Sequence, residues 1–272
     1  IDDTNCYRYL KDFYVMTAYN CCCAGNFKND FVSICALNNC IAQGVRCFDF
    51  EIYSVNDMPV VAASSVNNDT IKETYNSIPF KQVLSTLLNN ALGGSPGETC
   101  MNPTDPLILH FRIMSKNVNI YNKMAKDLSS EALAQYMLGP EYSYQFSGGS
   151  NISKNAGGMI PIYNLKNKIF IMVDANNEEH PLFQKTGLAE YVNLATNTST
   201  IGFAKTARFY EIKNDNTSAL VEYNRTGITI CLPNLAPLAT NYAFNIPKAW
   251  GCQLNAMCFQ AEDSQLYAYA DL

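Results

Sequence analysis

Short apolar runs rich in β-branched and aromatic residues recur along the chain, and most are separated by segments long enough to form a helix. The pattern predicts eight strands, which are Tyr14–Tyr19, Val45–Tyr53, Pro59–Ser64, Leu107–Ile113, Lys168–Val173, Thr200–Ala204, Gly227–Leu232 and Cys252–Gln260. Apolar positions at helical spacing predict helices over Asn29–Gln43, Pro79–Ala91, Asn117–Met137 and Leu188–Ala195. Strands that alternate with helical crossovers predict an α/β fold, a closed parallel (β/α)₈ TIM barrel.

One connection does not fit a regular barrel. The second and third predicted strands are separated only by Ser54-Val-Asn-Asp-Met58. Two parallel strands need a crossover of a dozen or more residues, so this segment is too short to hold a helix. Either one helix is missing there or these two strands pair irregularly.

The composition limits the classes of partner. Hydrophobic residues make up 48% of the 272 residues, which supports a sizeable core and excludes a disordered chain. Charged residues make up only 16%, against about 25% in ordinary soluble domains. The net charge of −5 argues against nucleic acid and against an anionic membrane surface as partners. Two explanations for the low charge stay open: a biased genome composition, and a surface packed against other subunits.

Cysteine is frequent and histidine is scarce. The chain has eleven cysteines and two histidines, and their spacing does not match a structural zinc site. Buried, reduced cysteines that act as small hydrophobic residues are therefore expected. The sequence shows no signal peptide and no apolar run that would predict a membrane span.

Several segments, taken in order, carry a family resemblance. Tyr19-Asn20 ends the first predicted strand, Cys47-Phe-Asp-Phe-Glu51 lies in the second, Pro59-Val-Val-Ala-Ala63 in the third, and Leu109-His-Phe-Arg112 in the fourth, while Trp250-Gly-Cys-Gln-Leu-Asn-Ala-Met-Cys-Phe-Gln260 forms the last. This order resembles the catalytic barrel of eukaryotic-type phosphoinositide-specific phospholipase C. The matching strands of that family carry His-Asn, Cys-(Ile/Val)-Glu-Leu-Asp, Pro-x-(Ile/Val)-Tyr-His-Gly-His and Leu-Ser-(Leu/Ile)-Glu-Asn-His.

The resemblance spans nearly the whole chain and implies a domain organisation. Residues 1–272 are expected to form a single phospholipase C-like barrel, with an X-like half at 1–175 and a Y-like half at 188–272. A short connection at 174–187 takes the place of the long regulatory insert that often separates the two halves in the family.

The acid–base positions of the family are changed in this chain. The family cleaves a phosphodiester with two histidines, one as base and one as acid, and with Ca²⁺ to stabilise the developing charge. By resemblance, Tyr19 and Ala63 occupy the two histidine positions. Tyrosine has a pKa of about 10, which suits neutral pH poorly, and alanine cannot transfer a proton. The catalytic positions are therefore expected to be degenerate.

The metal and substrate positions are changed as well. In the family an asparagine and three carboxylates hold Ca²⁺; here the matching residues are Asn20, Asp49, Glu51 and Arg112. A permanent cation among the ligands opposes Ca²⁺ by charge repulsion, so no cofactor is expected. We expect Arg112 to occupy the vacated metal position and to pair with Asp49 or Glu51.

The phosphate-binding lysine of the family falls at Met172 in this chain, and a substrate-binding serine falls near Ala204. A substrate-binding arginine of the second half has no clear counterpart around Leu232.

Alternative roles are open at three places. Strand alternation directs His110 to the same side as Arg112, where it is either a relocated catalytic histidine or a hydrogen-bonded core residue. Asp49 and Glu51 share one face and are either an acid–base dyad or a pair neutralised by Arg112. The run Cys21–Cys23 would need a nearby base to act as a nucleophile, and none is evident; His180 is expected to be solvated.

The sequence predicts a catalytically inactive phospholipase C-like pseudoenzyme with a structural or protein-binding role in a larger assembly, such as a virion. The alternative is a divergent calcium-dependent or metal-free phosphodiesterase. A lipid- or inositol-phosphate-binding module is disfavoured, as is membrane lipid binding, because the basic phosphate contacts are lost. Abundant asparagine and cysteine beside a decayed enzyme site favour a large DNA virus or another AT-rich genome as the source. An intracellular assembly and a virion are the locations considered.

Overall fold

The computed structural model describes residues 7–27, 30–64, 75–92, 99–144, 160–176, 178, 181–198 and 203–271. In chain order the strands are β1 (Val15–Ala18), β2 (Cys23–Ala24), β3 (Phe31–Val32), β4 (Cys47–Val55), β5 (Met58–Ala62), β6 (Ile78–Pro79), β7 (Leu107–Ile113), β8 (Ile169–Asp174), β9 (Leu194–Thr196), β10 (Ala204–Arg208), β11 (Ile228–Leu232) and β12 (Leu254–Met257).

A ring of parallel strands forms the centre of the fold. The strands follow the order β10-β11-β12-β1-β4-β7-β8-β9, and each ladder in this series is parallel. The two end strands meet through side chains, because the Thr206 hydroxyl donates to the Thr196 hydroxyl over 3.0 Å and the Thr206 backbone N–H donates to Asn197 Oδ1 over 2.9 Å. The result is a nearly closed eight-stranded barrel, which confirms the predicted fold class.

The helices pack around the outside of this ring. They are α1 (Ile34–Ala42), α2 (Phe80–Ala91), α3 (Val118–Leu128), α4 (Glu131–Ala134), α5 (Phe209–Asn214), α6 (Thr217–Thr226), α7 (Asn245–Ala249) and α8 (Ser264–Ala270). Polar side chains cap several N-termini: Ser33 accepts from Cys35 N at α1, and Asn117 accepts from Asn119 N at α3. No helix in the described part of the chain is long and apolar enough to cross a membrane.

The helix predicted over Asn117–Met137 is two helices. The chain leaves the helical conformation after Leu128, and Ser130 takes an extended conformation with ψ 142° before the short α4 begins. Serine favours the N-cap position because its side chain competes for backbone hydrogen bonds, so consecutive serines at 129 and 130 mark the break.

The prediction that Pro59–Ser64 is a barrel strand is wrong. This segment is β5, which pairs with β4 in the antiparallel direction, with Tyr53 opposite Val60 and Val55 opposite Met58. The connection is a two-residue turn in which both residues have positive φ, 49° at Asn56 and 65° at Asp57. Such a turn matches the twist of two antiparallel strands. Irregular pairing, one of the two explanations for the short connection, is therefore the correct one.

The strand that completes the barrel is β9, inside the segment Leu188–Ala195 that the sequence pattern assigned to a helix. Only one 3₁₀ turn, Gly187–Glu190, forms there before the chain enters β9. Short apolar runs do not distinguish a buried strand from a buried helix, which explains the error. The neighbouring prediction, Thr200–Ala204, meets β10 only at Ala204, and residues 199–202 lie outside the described residues.

Side chains alternate between the barrel interior and the layer under the helices. At the amino ends of β4, β7 and β8 the interior positions are apolar: Cys47, Ile108 and Phe170 lie side by side there. Alternate residues on the same strands pack outward against the helices. Toward the carboxyl ends of β4 and β7 the interior positions become polar. The candidate site is therefore at this end of the barrel.

The cysteines behave as predicted in the described part of the chain. None of the ten described cysteines is in a disulfide, and all except the exposed Cys35 are buried. Burial raises the pKa of Cys252 to about 12, which disfavours the reactive thiolate. Cys21 is buried too, and burial together with the Cys22 thiol raises its pKa well above the usual value. At most 5% of the surface of Cys21, Cys22 or Cys23 is exposed, which disfavours attack by any of the three thiols on a substrate.

Candidate functional site

The adjacent strands β4 and β7 bring two acidic and two basic side chains together inside the barrel. In the parallel register of β4 and β7, Asp49 lies beside His110 and Glu51 lies beside Arg112. Residues two apart on a strand share a face, so all four side chains point to the interior. Each of the four is almost completely buried, with at most 4% of its surface exposed.

Arg112 donates hydrogen bonds to three neighbours. Its Nε and Nη2 bond Asp49 Oδ1 and Oδ2 at 2.9 and 2.7 Å, its Nη1 bonds Glu51 Oε1 at 2.8 Å, and its Nη2 also bonds Asn20 Oδ1 at 2.6 Å. The contact with Asp49 is bidentate, the geometry in which a planar guanidinium binds a carboxylate most strongly. The predicted pairing of Arg112 with these carboxylates is present.

The oxygens of both carboxylates are fully engaged. Asp49 also accepts from His110 Nδ1 at 2.8 Å and from the Asn20 backbone N–H at 3.1 Å. Glu51 also accepts from the Asn20 side-chain amide at 3.2 Å, the Tyr53 hydroxyl at 2.9 Å and the Ser64 backbone N–H at 3.1 Å. An ionised carboxylate offers about four acceptor sites, so the four donors at each group saturate it.

The charges of this cluster stabilise one another. Burial alone would raise the pKa of Asp49, but the Arg112 charge and the hydrogen bonds from Arg112 and His110 outweigh burial and hold that pKa well below its usual range. Burial likewise opposes the charge of Arg112, yet the Asp49 carboxylate raises the pKa of the guanidinium above its ordinary value. Asp49 is therefore ionised at neutral pH and cannot act as a general acid.

Tyr19 lies between two arginines. Its ring centroid is 4.8 Å from the Arg112 guanidinium carbon and 5.6 Å from that of Arg208, within cation–π range. Nη1 of Arg208 donates to the Tyr19 hydroxyl over 3.2 Å and to the Pro233 carbonyl over 2.8 Å. Tyr19, which occupies the first histidine position of the resembled family, is thus held by contacts with Arg112 and Arg208.

His110 and the carboxylates do not form an accessible acid–base pair. Nδ1 of His110 lies 2.8 Å from Asp49, while Nε2 is buried and has no hydrogen-bond partner in the described part of the chain. The imidazole has no exposed surface, so a substrate outside the cluster cannot reach Nε2. His110 is buried as expected for a core histidine, but only one of its two ring nitrogens is hydrogen-bonded within the described part of the chain. His180 lies outside the described residues.

The remaining predicted positions occupy different depths of the barrel. Ala63 is fully buried just after β5, and Met172 is fully buried in β8 beside His110. Ala204 begins β10 at the end of the barrel opposite the cluster, about 13 Å along the strand from Arg208. Active sites of such barrels lie at the carboxyl ends of the strands, so Ala204 lies away from the cluster, and a substrate role near it stays a prediction.

Sequence reasoning missed three residues that contact the cluster: Tyr53, Ser64 and Arg208. Tyr53 lies two residues after Glu51 on β4 and donates to it directly. Ser64 reaches Glu51 because the β4–β5 hairpin brings the chain back, whereas the sequence pattern predicts two barrel strands there. Arg208 ends β10 four residues beyond the predicted position. Strand alternation from Ala204 through Thr206 to Arg208 was the signal that could have identified it.

The described residues do not fit a calcium ion at the family's metal position. Ca²⁺ requires six to eight oxygen ligands. Here oxygens of Asn20, Asp49 and Glu51 accept from a guanidinium that lies among them. Within the described ranges, no group of three or more His, Cys, Asp or Glu side chains is arranged to hold a metal ion.

Comparison with known proteins identifies the fold. No family model matches the chain, and no curated protein matches its sequence. Among solved structures, PLC21 of S. officinalis and PLC21 of L. pealei each align over 98% of this chain with a TM-score of 0.73 and 18% identity. A calcium-dependent phosphoinositol-specific phospholipase C from Pseudomonas sp. aligns over 97% of this chain and 95% of its own length, with a TM-score of 0.62 and 10% identity.

These matches give this chain the barrel fold of the phospholipase C structures. The chain spans 36% of the length of either PLC21 protein but nearly the whole bacterial enzyme. At such identities the likeness establishes architecture alone. What the chain does must be argued from its own site.

Proposed function

We propose that the chain is a catalytically inactive phospholipase C-like pseudoenzyme that serves a structural or protein-binding role in a larger assembly, such as a virion. The observation that carries the proposal is the set of four hydrogen bonds from Arg112 to Asn20, Asp49 and Glu51. These bonds engage the oxygens that a catalytic Ca²⁺ would need. Arg112 is a permanent cation, so it cannot release them by losing a proton.

Substitution at the acid–base positions supports the same conclusion. Each general acid or base contributes about 10²–10⁴-fold to a rate, and Ala63 has no group that could supply it. Tyr19 carries an ionisable hydroxyl, but its ring is held between Arg112 and Arg208. The two substitutions together remove most of the proton transfer on which cleavage by the resembled family depends.

The net charge of the cluster equals that of the metal site in the resembled family. In the resembled family, three carboxylates and one Ca²⁺ leave one net negative charge. Here Asp49, Glu51 and Arg112 together also carry one net negative charge. The exchange of a metal ligand for a cation thus keeps the buried carboxylates compensated, and uncompensated buried charges are strongly destabilising.

Features of the surface support a partner-binding role. Apolar side chains are exposed on the segments that follow β1 and β11 at the carboxyl end of the barrel: Phe27 is 50% exposed, Phe31 53% and Leu238 51%. Phe27 and Leu238 form a β-bridge, and Phe31 stacks on the exposed Tyr75 at 5.0 Å. Contiguous exposed apolar residues mark interaction surfaces.

A hydrolysis assay tests the proposal. Purified protein is incubated with phosphatidylinositol and with a simple aryl phosphodiester, in millimolar Ca²⁺ and in chelator, beside an Asp49→Asn variant. We expect product formation at the rate of the buffer blank in every condition. The variant is assayed under conditions in which circular dichroism shows it to be folded. Turnover that requires Ca²⁺ and disappears in folded Asp49→Asn would instead establish the alternative, a divergent calcium-dependent phosphodiesterase. Turnover in chelator that disappears in the folded variant would establish a metal-free one.

A further inference from the structure

A second concave site lies at the amino-terminal end of the barrel, opposite the Arg112 cluster. It is a cavity of about 350 Å³ between the 3₁₀ helix Leu10–Asp12 and the starts of β1, β4 and β7. Its wall is mainly apolar and includes Phe13, Val15, Met16, Ile108 and Ile162. This volume falls in the range of about 300–1,000 Å³ that is typical of small-molecule sites, which are also mostly apolar with few polar groups.

One of those polar groups is the buried cation Arg46. It has 5% of its surface exposed and lines the cavity. Its guanidinium donates to the carbonyl oxygens of Ala91 at 2.8 Å, Pro106 at 3.3 Å and Asp105, and to Cys100 Sγ at 3.4 Å. Three of the four acceptors are backbone carbonyl oxygens, and the fourth is a cysteine sulfur. In the described part of the chain, no carboxylate lies within ion-pair distance of Arg46.

The environment of Arg46 is unusual for a buried charge. Burial lowers the pKa of the guanidinium, and the nearby Cys100 and Asp105 offset this only in part. Four of its five N–H groups are engaged by the carbonyls and the thiol, which leaves one N–H on Nη2 without a partner among the residues that the structure describes. A buried cation without a paired carboxylate is energetically costly, and an anion bound beside it would reduce that cost.

We propose that this cavity binds a single-chain amphipathic carboxylate, of the fatty-acid class, with the carboxylate at Arg46 and the acyl chain against the apolar wall. The apolar lining disfavours sugars and nucleotides, which need many hydrogen-bonding partners. One open N–H favours a carboxylate over a phosphate, which has more acceptor oxygens to satisfy. Asp105 also lines the cavity and opposes an anion, which restricts the ligand to a single negative charge oriented toward Arg46.

Calorimetric titration with decanoate and with decanol tests the proposal, because the two share a chain and differ in charge. The wild-type protein is expected to bind decanoate at least tenfold more tightly than decanol. Arg46→Gln should weaken decanoate binding about tenfold, equivalent to about 1.4 kcal/mol, and leave decanol binding unchanged. Arg225→Gln, which removes an exposed arginine of α6, is the matched control and should change neither affinity.

Equal affinity for the two compounds, no measurable binding of decanoate, or unchanged decanoate binding in folded Arg46→Gln would each overturn the proposal. Because Arg46 also fixes the backbone around it, a second variant leaves it in place. Met101 lines the cavity and is 53% exposed, so Met101→Trp should fold and fill part of the space. It should reduce binding of both compounds, and full decanoate affinity in this variant would place the ligand elsewhere and so contradict the proposed site.

Discussion

Asp49 accepts four hydrogen bonds while having no exposed surface, and the electrostatics of the site depend on it. Two of these bonds come from a charged guanidinium, and charge-assisted bonds are about twice as strong as neutral ones. Removing one partner of a buried ion pair leaves the other charge uncompensated, and that loss exceeds what the pair itself contributes to stability. Single substitutions at this carboxylate should therefore have large effects.

Asp49→Asn is expected to lower the free energy of unfolding by about 3–5 kcal/mol. The amide keeps the shape of the side chain but cannot balance Arg112, and its N–H₂ group faces donors rather than acceptors. Urea denaturation followed by circular dichroism measures the change. Glu222→Gln, which breaks the exposed pair between Glu222 and Arg225, is the matched control and should produce a far smaller change. Equal effects of the two substitutions would refute the account of the cluster.

Stability should also depend on pH through Asp49. Its folded-state pKa lies below the value of about 3.9 expected in an unfolded chain, so its contribution is complete above that value. As the pH falls below about 4, the unfolded state binds a proton that the folded state does not, and stability is lost. Urea midpoints measured from pH 6 down to pH 2 should therefore fall less steeply in Asp49→Asn than in the wild type. Parallel curves would show that Asp49 is not the titrating group.

At the residue scale, the contacts of Arg112 with the two carboxylates were predictable from the sequence, but the contact of Arg208 with Tyr19 was not. Strand alternation placed Asp49, Glu51 and Arg112 on one interior face, and the requirement to neutralise buried carboxylates supplied the pairing. Arg208 was missed because its contact with Tyr19 joins residues 189 positions apart. Such a contact depends on how the barrel closes, which local patterns do not determine.

At the scale of elements, the β4–β5 hairpin is the main departure from a regular barrel. It extends β4 beyond the ring and returns the chain so that the Ser64 N–H reaches Glu51. The turn requires positive φ at Asn56 and Asp57, a conformation that asparagine and aspartate tolerate better than most residues. The sequence carries this turn signal as Asn-Asp between two β-rich runs. The overall strand pattern nevertheless predicts two parallel barrel strands there instead of a hairpin.

The turn makes a local prediction. Asn56→Val should lower the free energy of unfolding by about 1–2 kcal/mol, because a β-branched residue is strained in the left-handed conformation. Asn56→Gly should be close to neutral, since glycine adopts that conformation freely. Chemical denaturation of both variants provides the comparison. A valine variant as stable as the glycine variant would mean that the turn does not hold the geometry described.

At the scale of the whole molecule, the two ends of the barrel have different characters. The carboxyl end holds a cluster in which the two carboxylates are saturated by internal donors. The amino end holds an apolar cavity beside a buried arginine that donates to backbone carbonyls and to a cysteine sulfur. The barrel class was predictable from the order of strands and helices. The identity of one strand was not, because β9 is three residues long and only barrel closure defines it.

Calcium titration by calorimetry determines whether Arg112 occupies the position of the metal ion. Wild-type protein and Asp49→Asn are titrated with Ca²⁺ into the millimolar range. We expect no saturable heat for either protein, because oxygens of Asn20, Asp49 and Glu51 are bonded to a cation that cannot be deprotonated. Saturable binding to the wild type near micromolar Ca²⁺ that is lost in Asp49→Asn would contradict it.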